Sequence, residues 1–571
     1  MIDFRNLNTL WASVIVETLC RCGVTTAIVC PGSRSTPLTL AFANHQEIEA
    51  IPILDERSAS FFALGKAKKT GIPTVLICTS GTAGANFYPA IIEAKKSGVP
   101  LIVITADRPP ELRNCHAGQT IDQIKLYGHF PNWQCELAVP EATLPMLRYL
   151  RQTIIHAWQQ SLDPVAGVVH LNQPLRKPLA PIEQSMSEIQ ATFPPDFFDA
   201  VSPILSPRLS NSLPWNSWQN RSGIIIAGLA QPQNPETYCR AIAFLAKKLS
   251  FPVLAEALSP LRNYNELNPY LISTYDSILR HPTASALTPD LVIQIGELPT
   301  SKELRNWLQD REVPRWAIDA RIDNLDPIHG KTIHLQTSIE AIEIELEIDI
   351  SPSPYCQQWL RLESQTRAKI DRTLTSLPES KLYEGKAAWL LSQYLPVGTS
   401  IFLANSMSVR NAEYFWQPNQ RHLIPFFNRG ANGIDGTLST ALGIAYRDSG
   451  VLLTGDLALL HDTNGFLIGN KFQGHLTIVL INNNGGGIFE ILPIANFPNF
   501  EEYFATPQTV NISNLCSAYG IEHINVKSWQ QFIDLVSCLP TKGIRVLELI
   551  CDRHLDAAWL KNNLSLFTSS S

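Results

Sequence analysis

Short apolar runs alternate with helical stretches along most of this chain, and no other feature constrains the fold as strongly. Stretches such as "TTAIVCPGSRSTPLTLAFAN" (residues 25–44) and "PTVLICTSGTAGANFYPAIIEAKKSG" (73–98) each predict a strand, a tight turn and a helix. The pattern returns in "GIIIAGLA" (223–230) and in "GVLLTGDLALL" (450–460). Such alternation predicts parallel sheets that are covered by helices on both faces.

The alternation falls into three blocks of similar size, which predicts an α/β protein with three doubly wound parallel-sheet domains. We expect an N-terminal domain over residues 1–181, a Pro- and Ser-rich linker over 182–221, a middle domain over 222–377 and a C-terminal domain over 378–571. A chain of 571 residues agrees with this division, because typical domain lengths predict about three or four domains.

Composition excludes several classes of protein. Hydrophobic residues make up 45% of the chain and charged residues 17%, so large buried cores are expected rather than disorder. The formal net charge is -6, so the chain lacks the excess of basic residues that is typical of nucleic-acid-binding proteins. No apolar run reaches the ~18 residues of a membrane span. The 11 cysteines are scattered, which favours reduced thiols and a cytoplasmic location over a disulfide framework.

Polar residues follow two strands of the third block. Asp456 ends the run "VLLTGD", and Asn483 lies 27 residues later, a spacing that fits one strand–helix–strand repeat. The carboxylate, the amide oxygen and a backbone carbonyl of the Gly-rich turn at Gly485 would form an all-oxygen ligand set suited to Mg²⁺. The alternative is that Asp456 caps a helix and residues 482–484 form an ordinary turn.

Four arginines lie beside Gly, Pro, Ser or Asn turns at predicted strand ends. They are Arg34, Arg108, Arg410 and Arg429. Arginine binds carboxylates through two parallel hydrogen bonds and stays charged, so the set predicts a positive cavity in an acidic chain. The alternative for each is a surface salt bridge of little energetic value.

The spacing of Asp456 and Asn483 resembles the diphosphate signature of thiamine-diphosphate enzymes, usually Gly-Asp-Gly followed by Asn-Asn. Leu457 replaces the second glycine. Such enzymes also need a glutamate on another domain, which hydrogen-bonds the aminopyrimidine ring of the cofactor and activates it. Glu56 in "ILDERSASF" (53–61) matches that position by resemblance. The alternative for Glu56 is an ordinary charge at a helix N-terminus.

Further motifs narrow the resemblance, and they are "CPGSRSTPL", "LDERSASFFALG", "TSGTAGANFYPAIIEA", "TADRPPELRNCHAGQTIDQ", "NSMSVRNAEYF", "NRGANGIDGTLSTALG" and "NNNGGGIFEILP". Together they resemble the 2-succinyl-5-enolpyruvyl-6-hydroxy-3-cyclohexene-1-carboxylate synthase family, in which the Gly-Asp-Leu variant is typical. The resemblance runs from about residue 5 to 560 and is sparse in the middle block.

The resemblance implies an N-terminal pyrimidine-binding domain, a middle domain and a C-terminal diphosphate-binding domain. It implies a transferase that decarboxylates 2-oxoglutarate and adds the succinyl carbanion equivalent to isochorismate, in menaquinone or phylloquinone biosynthesis. The implied cofactors are thiamine diphosphate and Mg²⁺, with Mn²⁺ as an alternative ion. The implied assembly is a homodimer or homotetramer, without nucleic-acid or membrane partners.

The same resemblance assigns roles to individual residues. Glu56 would be catalytic and would contact the cofactor. The residues that would bind substrate are Ser33, Arg34, Arg108, Gln119, Lys302, Arg410 and Arg429. The other cofactor-binding residues would be Ser406, Gly433, Ile434, Gly455, Asp456, Leu457 and Asn483, and the metal ligands would be Asp456, Asn483 and Gly485.

Two other functions stay open at this point. An acetolactate-synthase-like enzyme or a simple 2-oxo acid decarboxylase would use the same cofactor on smaller and less charged substrates, and the four arginines argue against it. A non-catalytic nucleotide- or flavin-binding protein could use the middle block, and the combination of Glu56, Asp456 and Asn483 argues against it. Metal-dependent binding of thiamine diphosphate would support an enzyme, and bound flavin would support the non-catalytic alternative.

Overall fold

A computed structural model describes residues 2–199, 201–202, 213–321, 323–341, 351–379 and 381–568. These residues form three sheets of six strands each, and all the strand pairs within them are parallel. Helices flank the sheets, so the predicted α/β class with parallel sheets is confirmed.

The first sheet has the strand order β2-β1-β3-β4-β6-β5. Its strands are β1 (Thr26–Val29), β2 (Glu49–Pro52), β3 (Thr74–Cys78), β4 (Leu101–Asp107), β5 (Trp133–Glu136) and β6 (Val168–Pro174). The helices of this part are α1 (Leu7–Arg21), α2 (Thr36–Ala43), α3 (Glu56–Thr70), α4 (Tyr88–Ser97), α5 (Leu144–Leu162) and α6 (Ser187–Thr192). Strands β1, β3, β4 and β6 are buried along their whole length, as central strands covered on both faces must be.

The second sheet has the strand order β12-β11-β10-β7-β8-β9. Its strands are β7 (Gly223–Ala227), β8 (Val253–Ala255), β9 (Leu271–Ile272), β10 (Leu291–Ile295), β11 (Arg315–Asp319) and β12 (Thr332–Gln336). The helices are α7 (Trp215–Trp218), α8 (Pro235–Leu249), α9 (Tyr275–Arg280), α10 (Lys302–Gln309) and α11 (Pro354–Thr375).

The third sheet has the strand order β14-β13-β15-β16-β18-β17, which repeats the order of the first. Its strands are β13 (Ser400–Leu403), β14 (Ile424–Phe426), β15 (Ser449–Gly455), β16 (His475–Asn482), β17 (Glu522–Asn525) and β18 (Gly543–Ile550). The helices are α12 (Glu384–Tyr394), α13 (Met407–Phe415), α14 (Thr437–Ala445), α15 (Asp456–His461), α16 (Gly487–Glu490), α17 (Ile512–Tyr519), α18 (Trp529–Ser537) and α19 (Arg553–Asn563).

The described residues divide into two compact units. The first contains the described part of Met1–Pro207 together with Asn428–Tyr446 and His461–Phe472, and the second contains the rest. The predicted domain boundaries stay predictions. Residue 200 and residues 203–212 of the predicted linker lie outside the described residues, and the part of the linker that the structure describes contains α6 and α7.

Helices α3 and α14 cross closely within the first unit, and glycines permit this crossing. A Cβ on Gly65 would lie 2.2 Å from the Thr440 carbonyl oxygen, and one on Gly443 would lie 2.2 Å from that of Phe62. Both distances are shorter than any real contact, so any side chain at either position would force the helices apart. The crossing fixes the start of α3 relative to the loop that precedes α14.

Two further predictions concern the thiols and the membrane. All 11 cysteines have free thiols, as their scattered positions predict. Among the residues that the structure describes, no helix combines the length and the apolar character that crossing a bilayer requires.

Candidate active site

Asp456 and Asn483 follow two neighbouring strands of the third sheet. Strands β15 and β16 pair in parallel with Gly455 beside Ile481, so both residues emerge at the same edge. The Asp456 carboxylate is buried, and it accepts hydrogen bonds from the backbone N–H of Leu457 and of Gly485, each at 2.8 Å. The adjacency that the spacing predicts is therefore present.

Asn483 is only 6% exposed, and the two ends of its amide differ in their contacts. Its Nδ2 donates to Glu384 Oε2 at 3.1 Å, whereas its Oδ1 is buried without a hydrogen-bond partner among the described residues. An unpaired buried acceptor costs about 1–3 kcal/mol. Burial also raises the pKa of Asp456, although backbone N–H groups oppose this shift. A cation beside both groups would relieve both costs, so these residues fit a metal ion.

The glycines around this pair fit a bound diphosphate. Gly485 has a φ of +127°, and a Cβ there would lie 2.3 Å from the Ala505 carbonyl oxygen, so the turn requires glycine. Its own carbonyl oxygen accepts from the Gly487 N–H at 2.9 Å and has a second lone pair for an ion. A Cβ on Gly455 would meet nothing within 4 Å, which leaves space for phosphate oxygens beside Asp456 and Leu457.

Glu56 is the first residue of α3 in the first unit. The helix begins there because the Asp55 side chain accepts from the Ser58 N–H at 2.9 Å and caps it. Asn464 donates to the other oxygen of Asp55 at 2.8 Å, which fixes the cap further. Glu56 itself is partly exposed, and its negative charge adds to burial in raising the pKa of the Cys78 thiol at the end of β3. The carboxylate therefore lies at the carboxyl edge of the first sheet.

The loop before α14 carries three of the predicted residues: Arg429, Gly433 and Ile434. The Glu93 carboxylate on α4 accepts from the backbone N–H of Gly430 at 3.0 Å and of Ala431 at 2.6 Å, which anchors this loop. Ile434 is partly exposed despite its apolar side chain, and its carbonyl accepts from the Thr437 hydroxyl at 2.7 Å. An apolar residue held at the surface of a fixed loop is available to contact a cofactor.

Four predicted substrate-binding residues meet at the carboxyl edge of the first sheet: Ser33, Arg34, Arg108 and Gln119. Arg34 is 6% exposed; its Nη1 donates to the Leu175 carbonyl at 2.7 Å, and its Nε is buried without a partner among the described residues. The pKa of Arg34 is lowered, first by burial and then by the positive charge of Arg108. Two cations held together, one of them with an unused donor, form a site for an anion.

The loop that contains Gly118 and Gln119 is held in an uncommon backbone conformation. Gln119 has a φ of 57°, and its amide donates to the Ser80 carbonyl at 2.8 Å. Arg108 donates through Nε and Nη2 to the Gly118 carbonyl at 3.2 and 3.0 Å. The strands β1, β3 and β4, which carry these turns, are neighbours in the sheet.

The second unit brings Lys302 and Arg410 into one cavity of about 630 Å³. Burial lowers the pKa of Arg410, and the charge of Arg305 adds to this shift. Arg410 lies inside α13 rather than at a strand end as the sequence predicted, and Lys302 is the exposed first residue of α10. Arg410 Nη1 donates at 2.7 Å to the carbonyl of Ser406, a predicted cofactor residue with a strained φ of 69°.

Sequence reasoning missed several residues that shape these sites. They include Glu93, which anchors the loop before α14; Glu384, which contacts Asn483, and Asn411, which interacts with Glu384; and Arg280 and Tyr414, which line the cavity of Arg410. They lie on helices and belong to no strand-end motif. Glu93, Asn411 and Tyr414 lie inside motifs that carry the family resemblance, which assigned them no role. The only signal for Glu384 and Arg280 was polar character on a helix, which is also common on solvent-facing surfaces.

Comparison with known proteins agrees with this geometry. Residues 11–126 match the family model "Thiamine pyrophosphate enzyme, N-terminal TPP binding domain", and residues 205–403 match "Middle domain of thiamine pyrophosphate". Thiamine pyrophosphate is another name for thiamine diphosphate.

Curated relatives match almost the whole chain. The chain is 64% identical over 581 residues to the 2-succinyl-5-enolpyruvyl-6-hydroxy-3-cyclohexene-1-carboxylate synthase of Gloeothece citriformis, with 99% of each chain covered. It is 59% identical to the synthase of the same name from Rippkaea orientalis, covering 99% of this chain and 97% of the relative. The Trichodesmium erythraeum synthase is 58% identical, with 99% of each chain covered. The chain is therefore a thiamine-diphosphate-dependent enzyme, and it belongs to the 2-succinyl-5-enolpyruvyl-6-hydroxy-3-cyclohexene-1-carboxylate synthase family.

Proposed function

We propose that the protein decarboxylates 2-oxoglutarate and adds the succinyl carbanion equivalent to isochorismate, giving the product after which the family is named and CO2. The observation that carries this assignment is the pair of cationic sites, Arg34 with Arg108 and Arg410 with Lys302. Both substrates are dicarboxylates, and guanidinium groups suit them because they stay charged and bind carboxylates through two hydrogen bonds. The proposed pathway is the biosynthesis of menaquinone or phylloquinone, and the proposed location is the cytoplasm, where free thiols persist.

The proposed cofactor site divides the work among a few residues. Asp456, Asn483 and the Gly485 carbonyl would hold Mg²⁺, or Mn²⁺ in its place, and the ion would hold the diphosphate. Ser406, Gly433, Ile434, Gly455 and Leu457 would line the cofactor. Bound thiamine diphosphate supplies the carbanion chemistry that decarboxylation of a 2-oxo acid needs. Glu56 would accept a proton from the aminopyrimidine ring and return it.

The substrate carboxylates would be bound by the cationic residues. Ser33, Arg34, Arg108 and Gln119 would bind the isochorismate carboxylates, and Arg410 with Lys302 would bind the chain derived from 2-oxoglutarate. Arg429 would add a further positive charge. Bidentate arginine contacts orient a carboxylate as well as attract it, which places the reacting carbon atoms.

The overall reaction is tested with purified protein, thiamine diphosphate, Mg²⁺ and both substrates. We expect the absorbance of isochorismate to fall only in the complete mixture. Pyruvate in place of 2-oxoglutarate serves as the matched control, because it lacks the second carboxylate. Equal consumption of isochorismate with pyruvate, or no consumption with 2-oxoglutarate, would refute the substrate assignment.

The family resemblance also leads us to propose a homo-oligomer, either a dimer or a dimer of dimers. Closed symmetric assemblies are the usual form of such homo-oligomers. Sedimentation equilibrium of the purified protein measures the mass of the assembly directly, and a mass equal to one chain at micromolar concentration would contradict the proposal.

Arg34→Ala is expected to raise the KM for isochorismate by about 10–150-fold, because loss of a charge-assisted contact costs roughly 1.5–3 kcal/mol. The KM for 2-oxoglutarate should change much less, and CO2 release from 2-oxoglutarate without isochorismate should stay nearly normal. Steady-state kinetics with each substrate varied in turn measures both values.

Two further variants control this experiment. Arg410→Ala should show the opposite preference and affect 2-oxoglutarate more strongly. Arg176→Ala removes an exposed arginine that is paired with Glu111 at 2.7 Å, so both KM values should stay unchanged. If Arg34→Ala impaired CO2 release as severely as the whole reaction, the assignment of Arg34 to isochorismate would be wrong.

A further inference from the structure

A buried glutamate on α12 contacts the proposed metal ligand Asn483. Glu384 is 5% exposed, and its Oε2 accepts a hydrogen bond from Asn483 Nδ2 at 3.1 Å. Burial raises the pKa of Glu384, and hydrogen bonds from the side chains of Asn411 on α13 and of Asn483 oppose this rise and favour the carboxylate. The proposed reaction gives Glu384 no role, so its burial beside the metal site needs an explanation.

The contact determines which end of the Asn483 amide faces the metal site. An amide has a donor end and an acceptor end of nearly equal size, so packing alone does not choose between its two orientations. A carboxylate only accepts hydrogen bonds, so it selects the Nδ2 end. The Oδ1 end of Asn483 is then directed away from Glu384, where it is buried and has no partner among the described residues.

The second amide explains how a carboxylate is tolerated at this position. A buried carboxylate is costly unless donors surround it. Asn411 and Asn483 supply two N–H donors from different elements, and neither is a cation. Glu384 therefore accepts hydrogen bonds from two amides. It offers no donor that would compete with an ion for the amide oxygen of Asn483.

We propose that Glu384 is a positioning residue for the metal site: by accepting the Nδ2–H of Asn483, it holds the amide oxygen in the orientation that binds the ion. The inference rests on the proposed role of Asp456 and Asn483 as metal ligands. Groups that orient metal ligands typically change metal affinity by about 10–100-fold when they are replaced.

The test measures the affinity of the protein for Mn²⁺ in the presence of thiamine diphosphate, by electron paramagnetic resonance of the free ion. Glu384→Gln should weaken Mn²⁺ binding by about 10–100-fold. A glutamine offers one acceptor oxygen and one NH2 donor, so Asn411 and Asn483 cannot both keep their bonds. If Asn483 rotated to accept from the glutamine, its oxygen would be lost to the ion.

A double substitution separates positioning from a general disturbance of the core. Glu384→Gln/Asn483→Asp exchanges the donor and the acceptor and keeps the total charge of the site. The amide at position 384 can then donate to the carboxylate at position 483, whose other oxygen faces the ion. We expect the double variant to bind Mn²⁺ within about 10-fold of the wild-type affinity. A double variant that binds no better than Glu384→Gln would contradict the proposal.

Asp556→Asn provides a control in the same buried cluster. Asp556 accepts the backbone N–H of Glu384 at 3.2 Å, and no hydrogen bond joins it to Asn483 in the described structure. This variant should lower thermal stability and leave the Mn²⁺ affinity unchanged. If it weakened Mn²⁺ binding as much as Glu384→Gln, the effect would be structural and the proposal would be overturned. Wild-type protein that bound no Mn²⁺ with the cofactor would instead refute the metal site itself, and the role of Glu384 with it.

Discussion

Glu56→Gln is expected to lower turnover by about 10²–10⁴-fold, the usual effect of losing one positioned proton-transfer group. The glutamine keeps the size of the side chain and can still contact the aminopyrimidine ring, but it can neither take up nor return a proton. Binding of thiamine diphosphate should therefore stay close to normal. Turnover of both substrates and calorimetric titration of the cofactor measure the two effects separately.

Asp55→Asn is the matched control for this experiment. Asp55 is the neighbouring carboxylate and the N-cap of α3, and asparagine is an equally good N-cap, so the change removes one charge at almost the same place. We expect near-normal turnover from Asp55→Asn. Equal losses in the two variants would show that local charge matters rather than proton transfer, and near-normal turnover of Glu56→Gln would remove Glu56 from the mechanism.

The position of Glu56 depends on packing that periodicity does not reveal. Alternating apolar runs were sufficient to predict three parallel sheets, because each run is short, β-rich and bounded by turn residues. The crossing of α3 and α14 was not predicted, since its only signals are Gly65 and Gly443 inside helical patterns. A glycine in a helix costs stability and marks close approach only when the partner helix is known.

Strand order was also beyond the sequence. The first and third sheets share one order, whereas the middle sheet has a different one. Both orders satisfy the same pattern of strand and helix, because right-handed crossovers permit either. Hydrophobic periodicity therefore predicts layers of sheet and helix but does not determine which strands are neighbours in a sheet.

In the candidate site, too, residues in a local sequence pattern were predictable, whereas contacts between distant parts of the chain were not. Asp456 and Asn483 were predictable together because both follow strands at the spacing of one repeat, and their strands are neighbours. Glu384 was not predictable, since it starts a helix before the first strand of its sheet and lies far along the chain from Asn483. Arg410 was predicted at a strand end and lies in α13, because β13 ends at Leu403 and a strained turn at Ser406 intervenes.

Buried carboxylates in this chain have different expected roles, and Asp462 illustrates the structural one. Asp462 is fully buried, and it accepts from the backbone N–H of Ser439 at 2.7 Å and from its hydroxyl at 3.1 Å. Burial raises the pKa of Asp462 to about 6. Both carboxylate oxygens of Asp462 accept hydrogen bonds from the first turn of α14, so each has a partner without an ion.

Asp456→Ala is expected to abolish the dependence of cofactor binding on Mg²⁺. Asp456 is the one anionic group among the proposed ligands, and Mg²⁺ uses few protein ligands, so the affinity for thiamine diphosphate in the presence of Mg²⁺ should fall by at least about 100-fold. The fold should persist, because the change removes a charge whose burial is already unfavourable. Calorimetric titration of the cofactor with and without Mg²⁺ measures the effect.

Asp462→Ala is the matched control: it should lower the melting temperature through the loss of the Ser439 contacts and retain the full Mg²⁺ dependence. Unchanged Mg²⁺ dependence in Asp456→Ala would exclude Asp456 from the metal site.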